Sequence, residues 1–325
     1  MTKNKTKNIN YLNFIYISLL ITVILTIIIL PKVAIQNFFQ GLLLWATKVL
    51  PALLPFFILT KLLSYTTFVA IASKHLSPIT NKLYNVGGVA GYVFFMSIIS
   101  GYPVGAKITA DLYNSKQITS SQAKTITAFT STSGPLFIIG TVGIGFFRSS
   151  KIGFIILISH IISAILNGLL YRNKETTTTS NNLITPPPPD NTLSESMYSS
   201  IISIMLVGGF IAISYMLLGI ITDLNLFNFL TGPLSKIGIN KNISHAILSG
   251  FIEVTTGLNM LSCTNLSFKF SAIISSFLIS FGGLSIHAQA YCYLRSFNLK
   301  YTHFLIQKIT HAIISASVTF VILLF

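Results

Sequence analysis

Few residues in this chain could do chemistry, and the most promising stand where long apolar runs are interrupted. Lys107 follows Ser100-Gly101-Tyr102-Pro103-Val104-Gly105-Ala106, with Asp111 one helical turn further on. Thr132, Ser133 and Gly134 form a second interruption, Glu253 with Thr255 and Thr256 a third, and Gly282-Gly283 with Ser285, His287 and Gln289 a fourth. A helix broken at such a point leaves unpaired N–H groups and partial positive charge at the start of its second half, an arrangement that attracts a carboxylate or phosphate. Gly101 and Gly105 let backbone approach a ligand, Pro103 sets the turn, and Lys107 supplies positive charge for an anionic solute. The hydroxyls of Thr132 and Ser133 and the N–H groups around Gly134 add donors. Asp111, Glu253 and His287 are the candidates for ion or proton coupling, because ionisable groups within a membrane are costly unless they work. Plainer alternatives stand beside these. Lys107 and Asp111 suit an i,i+4 ion pair in a wet cavity, the hydroxyls of the second interruption suit bonds back to their own helix, and Glu253 suits a solvated interfacial carboxylate. His160 and His311 are lone histidines on apolar helices and read as partners of neighbouring backbone or hydroxyl groups, outside the site.

The elements that must position these residues are membrane helices. Of 325 residues, 52% are hydrophobic and only 8% charged, about a third of the charge of an ordinary soluble domain. The mean hydropathy of +0.76 comes from long apolar blocks. A cytosolic enzyme is excluded. With roughly 20 apolar residues per span, the length admits seven to nine membrane elements and no sizeable extramembrane domain. The net charge of +15 sits at the ends of apolar runs, as at Lys3, Lys5, Lys7, Lys74, Lys82, Arg172 and Lys174, which is a topology pattern that implies a lipid bilayer and no nucleic acid. Cys263 and Cys292 give neither a metal-ligand spacing nor a disulfide framework and read as buried thiols, so no metal and no cofactor is implied. Ser133 and His160 have no spacing that specifies a nucleophile and its base, which argues against an enzyme.

Along the chain, residues 1–37 read as an N-terminal anchor helix, uncleaved, and 38–171 as a first membrane repeat, with a run kinked at Pro51 and Pro55. Residues 172–192 form a polar Thr- and Pro-rich linker, and 193–325 a second repeat. A shift of 149 places Ser100-Gly101-Tyr102 on Ser249-Gly250-Phe251 and Ser131 and Gly134 on Ser280 and Gly283; a shift of 151 places His160 on His311. The chain therefore reads as two related halves, each with a re-entrant hairpin and a broken helix. Irregular backbone at membrane depth is tolerated where protein or a wet cavity satisfies it, so the paired breaks point to a transporter-like site between the halves. The fold class is an all-α polytopic membrane protein.

Four segments together, Ser100 to Lys107, Thr132 to Gly140, Glu253 to Gly257 and Phe281 to Gln289, resemble the YlbJ-type sporulation integral membrane proteins, which carry a nucleoside-recognition (Gate) domain. The resemblance covers most of the chain outside the linker. It implies a fold like that of concentrative nucleoside transporters, an endospore-forming bacterium, and passage of dipicolinic acid, a small aromatic dicarboxylate, across the outer forespore membrane. A nucleoside or nucleobase carrier, and a non-transporting assembly protein needed for spore maturation, remain as other readings. A homo-oligomer is compatible with each.

Overall fold

Runs of Ile, Leu and Phe that meet lipid leave their backbone no water to bond, so each must satisfy its own N–H and C=O groups as helix. The computed structural model describes residues 11–175, 190–236 and 240–325, and every regular element among them is helical. α1 (Tyr11–Ile29) presents Leu19, Ile24 and Ile28 outward. It is not one helix through residue 37: the chain turns by 102° at Leu30, and Pro31, whose missing N–H costs nothing at a helix start, opens α2 (Pro31–Leu44). Residues 1–10 of the expected anchor lie outside the described ones. α2 widens into a π-helical turn, Trp45–Val49, and continues as α3 (Leu50–Ser64). The widening lies just before Pro51, which has no N–H to give the preceding turn.

The stretch from Phe68 to Tyr84, polar in sequence, forms α4, bent by 85° from α3. α5 (Val89–Ser100) and α6 (Val104–Asn114) fold back on each other around Gly101–Pro103. α7 (Ser120–Thr130) begins with a reciprocal cap between Thr119 and Gln122, which satisfies two orphan donors. It gives way at residues 131–135 to a π-helical segment, Leu136–Phe146, and then to α8 (Ser150–Leu170). Residues 176–189, the larger part of the expected linker, lie outside the described ones. In the second half, α9 (Thr192–Asp223) and α10 (Phe227–Lys236) precede a hairpin of α11 (Lys241–Ile252) and α12 (Val254–Ser262). α13 (Phe268–Phe281), α14 (Gly283–Leu294) and α15 (Tyr301–Ile322) complete the chain.

The starts of α5, α6, α7, the π-helical segment and α8 recur as those of α11, α12, α13, α14 and α15 at offsets of 147 to 152 residues. The two halves thus repeat one plan of hairpin, broken helix and closing span. Ser150–Leu170, Thr192–Asp223, Phe268–Phe297 and Tyr301–Ile322 are long and apolar enough to cross a bilayer, and the two bent pairs add up to two more spans.

Lipid gives helices little hydrophobic reason to associate, so close packing of small residues and interhelical hydrogen bonds must hold the bundle. A Cβ on Gly41 of α2 would lie 2.8 Å from Ala212 and Tyr215 of α9. Trp45 covers Gly208 and donates its indole N–H to the Ile204 carbonyl at 3.1 Å. Asn167 of α8 donates to the carbonyls of Ala128 (2.7 Å) and Gln307 (3.1 Å), tying α7 to α15. Ser276, Ser315 and Thr319 link α13 to α15 through 2.7 Å hydroxyl bonds. Cys263 and Cys292 are at the surface rather than buried: one ends α12 and the other lies on an outward face of α14, so apolar sequence around a thiol did not mean enclosure.

Candidate functional site

Each half supplies a hairpin tip and a break, and the four irregular segments meet. At the first tip Gly101 adopts φ 74°, a conformation that costs a side chain but not glycine. Its missing side chain also matters: a Cβ there would lie 2.7 Å from the Gly134 amide of the second break. The two backbones therefore touch. Gly282 and Gly283 carry consecutive positive φ values of 93° and 69°. A Cβ on Gly283 would lie 3.0 Å from the Gly250 carbonyl and 3.2 Å from the Val254 amide, and one on Gly282 would lie 3.7 Å from the Tyr102 hydroxyl. The fourth break thus seats on both hairpin tips.

Side chains fix the exposed backbone of the breaks. Ser133 donates its N–H to His160 Nε2 at 2.9 Å, and His160 Nδ1 meets Ser280 Oγ at 2.7 Å. Because Nε2 accepts, the ring carries its hydrogen on Nδ1 and is neutral. Thr132 Oγ1 donates to Ser97 Oγ at 3.2 Å. His311 packs its ring 4.9 Å from that of His160 and contacts the His160 carbonyl at 3.3 Å. These two histidines, set aside in the sequence, do bond neighbouring backbone and hydroxyl groups, and one of those backbones is a break.

Glu253 is only 2% exposed. Its Oε1 accepts from the Thr255 N–H at 3.1 Å, and its Oε2 accepts from the Thr256 N–H and hydroxyl at 2.7 and 2.8 Å. The carboxylate caps its own helix, α12, and answers the positive end of that helix. At this break the anion expected from outside is already present as a side chain, and Glu253 is not a solvated interfacial carboxylate.

A cavity of about 80 Å³ lies at the junction, lined by Gly101, Tyr102, Ser133, Gly134, Glu253, Thr255, Ser285 and Gln289, with Lys48 and Val49 at its edge. Ser100 and Thr132 are buried beside it, Pro103 and Gly105 belong to the hairpin behind it, and Thr256 is held by Glu253. Gln289 bonds Ser285 across one turn of α14 at 3.4 Å. His287 faces elsewhere: its nitrogens contact the Phe281 carbonyl at 2.8 Å and the Tyr301 hydroxyl at 3.2 Å. Lys107 and Asp111 also stand apart from the four breaks. They line a second cavity, of about 540 Å³, with Lys61, Thr60, Tyr92, Pro103, Ser200 and Ser203. Lys107 Nζ donates to Ser199 Oγ at 2.8 Å and Ser203 Oγ at 2.7 Å, joining the first hairpin to α9.

The two cavities follow one another along the same three elements. The small one takes Val49 and Leu53, Gly101 and Tyr102, and Ile211 and Val207; the large one takes Phe57, Thr60 and Lys61, Val104, Lys107 and Asp111, and Ser203 and Ser200. Successive turns of the 45–64 helix, the first hairpin and α9 therefore wall one groove. The larger segment has the size of a small-molecule site.

One side chain that sequence reading passed over belongs to this centre. Lys308 of α15 is 1% exposed, donates to the Ser131 carbonyl at 2.9 Å, and donates also to the Tyr102 hydroxyl. The signal was available as a lysine eight positions into the last apolar helix, a placement expensive in lipid.

Among known proteins, the nucleoside-recognition (Gate) family model matches residues 46–147, which include the first hairpin and the second break. The chain is 31% identical over 326 residues to the sporulation integral membrane protein YlbJ of Bacillus subtilis (strain 168), covering 92% of this chain and 79% of that protein. The chain belongs to the YlbJ family of sporulation integral membrane proteins. A solved structure of a CNTnw variant in an outward-facing state covers 86% of this chain and 76% of its own, at 16% identity and a TM-score of 0.47. Membership of this family agrees with the four motifs read from the sequence, and with an integral membrane protein made of helices.

Proposed function

We propose that the chain forms a transmembrane pathway for a small organic anion, with dipicolinate at the outer forespore membrane as the candidate solute and site. The observation that carries this reading is the groove made of two successive cavities, walled by the same three elements, whose inner end meets the four breaks. Its lining holds Lys48, Lys61 and Lys107 against the carboxylate of Asp111, while Glu253 spends its charge on its own helix. Positive charge in a low-dielectric groove concentrates anions. The solute enters the large cavity beside Lys61 and Lys107, and crosses at the constriction when the hairpin tips separate from the breaks on which they rest. Glycine at each close approach leaves those surfaces smooth enough to part.

The second reading, a nucleoside or nucleobase carrier, is favoured by the description of the family model that matches residues 46–147. Uptake by proteoliposomes separates the two. Labelled dipicolinate is expected to accumulate, with unlabelled uridine a poor competitor; accumulation of uridine alone would overturn the anion reading. Within the anion reading, Lys107→Ala is expected to lower dipicolinate uptake about tenfold, the usual size for one buried charge-assisted contact.

A further inference from the structure

Lys308 is a buried lysine whose hydrogen-bond partners, the Tyr102 hydroxyl and the Ser131 carbonyl, are both neutral. The chain has six acidic residues, and each is accounted for elsewhere. Asp111 lines the large cavity, Glu253 is bonded to Thr255 and Thr256, and Glu175, Asp190, Glu195 and Asp223 are exposed. The nearby histidines bring no negative charge: His160 is neutral, and His287 and His311 contact carbonyl oxygens. An enclosed lysine holds its proton at a cost unless a negative group comes within reach, so an arriving anion and the ammonium form stabilise each other.

Tyr102 carries the second half of the observation. Its side chain lines the small cavity and is 8% exposed. The hydroxyl oxygen accepts from Lys308, and the hydroxyl hydrogen has no acceptor among the described residues. A phenol that accepts from an ammonium is a stronger donor, because each bond polarises the next. The donor that remains belongs to a residue of the cavity lining, beside Gly282.

We infer that Lys308 and Tyr102 form a carboxylate-recognition pair at the constriction: the Tyr102 hydroxyl donates to a carboxylate of the passing solute, and the Lys308 ammonium behind it supplies the balancing charge. This rests on the anion pathway proposed above. Tyr102 touches the solute, and Lys308 is a positioning residue that acts through it. The backbone N–H of Gly134 belongs to the same cavity lining and offers a further donor to the same group.

The test is uptake by proteoliposomes of labelled pyridine-2,6-dicarboxylate, with the uncharged pyridine-2,6-dicarboxamide as competitor, for the wild type, Tyr102→Phe, Lys308→Met and the double variant. Each single variant is expected to lower kcat/KM for the dicarboxylate about tenfold or more, chiefly through KM. The double variant is expected to be no worse than Lys308→Met, since two residues acting as one device are not additive. The diamide is expected to compete with the dicarboxylate better in each variant than in the wild type. Unchanged dicarboxylate uptake, additive losses, or no improvement in competition by the diamide would each overturn the pair while leaving the anion pathway standing. If wild-type protein takes up uridine and no dicarboxylate, the pathway reading falls and the pair with it. Should Lys308→Met fail to reach the membrane, Tyr102→Phe decides alone, because it removes a single oxygen: wild-type uptake by that variant at wild-type abundance overturns the pair.

Discussion

Glu253 illustrates how a residue can be found correctly and understood only when its surroundings are seen. In sequence it is the acidic residue of the second hairpin, set within an apolar run. In the fold its carboxylate accepts three hydrogen bonds from Thr255 and Thr256, so its first task is to close the start of α12. An N-cap acceptor contributes about 1–2 kcal/mol, and burial raises what its loss leaves behind, because freed N–H groups have no water. Glu253→Ala is therefore expected to lower the melting temperature of detergent-solubilised protein more than Glu253→Gln, which keeps one oxygen as acceptor but turns an amide NH₂ toward donors. Equal melting temperatures for all three proteins would contradict the cap. Lys308 shows the complementary failure. Polar interruptions drew attention because they break helices, whereas Lys308 sits in an unbroken one; its role depends on Tyr102 and Ser131, more than 170 residues away, and no local pattern carries that pairing.

Elements were legible wherever glycine or proline punctuated an apolar run. Both hairpins, both broken helices and the two closing spans fall where the sequence places them, since Gly101, Pro103, Gly134, Gly282 and Gly283 mark backbone that cannot continue as helix. The π-helical turns at Trp45–Val49 and Leu136–Phe146 were not legible, because widening a helix changes its hydrogen bonds without changing its apolar composition. In α4, lysines and serines obscure the apolar face in the sequence. What holds the elements together is testable by two alanines. At Gly105 a new Cβ would run into the Thr130 carbonyl and come within 3.0 Å of Ser97, whereas at Gly209 it would meet nothing within 4 Å. Gly105→Ala is expected to destabilise by about 1–3 kcal/mol, as for overpacking elsewhere. Gly209→Ala, an exposed position within helix α9, is expected to be neutral or to stabilise by up to about 1 kcal/mol, the helix-propensity gain of alanine over glycine. Thermal unfolding of the two variants side by side checks both, and equal behaviour would mean that the first hairpin does not seat against α7 as described.

At the scale of the whole molecule, the repeat has a physical consequence beyond shared ancestry. His160 and His311, equivalent by the 151-residue shift, pack ring against ring at 4.9 Å with a 33° tilt, and equivalent groups meet in this way where a pseudo-two-fold relation brings matching surfaces together. The four breaks cluster beside that contact, so each half contributes one hairpin tip and one broken helix to a common constriction. α9 and the 45–64 helix, which lie outside the repeated plan, complete the groove on its open side. In the proposed pathway this division assigns different work to the parts: the repeats make the barrier, and the added helices wall the approach. A bulky side chain in the approach should then stop passage without dismantling the barrier. Thr60 lines the large cavity and its hydroxyl bonds only its own helix, to the Phe57 carbonyl at 3.1 Å, so Thr60→Trp fills open space at little structural cost. Dipicolinate uptake is expected to fall by more than tenfold, with the melting temperature within a few degrees of wild type, a change that corresponds to about 1 kcal/mol or less. Normal uptake through the filled cavity would separate the large cavity from the pathway and leave the constriction to be reached by another route.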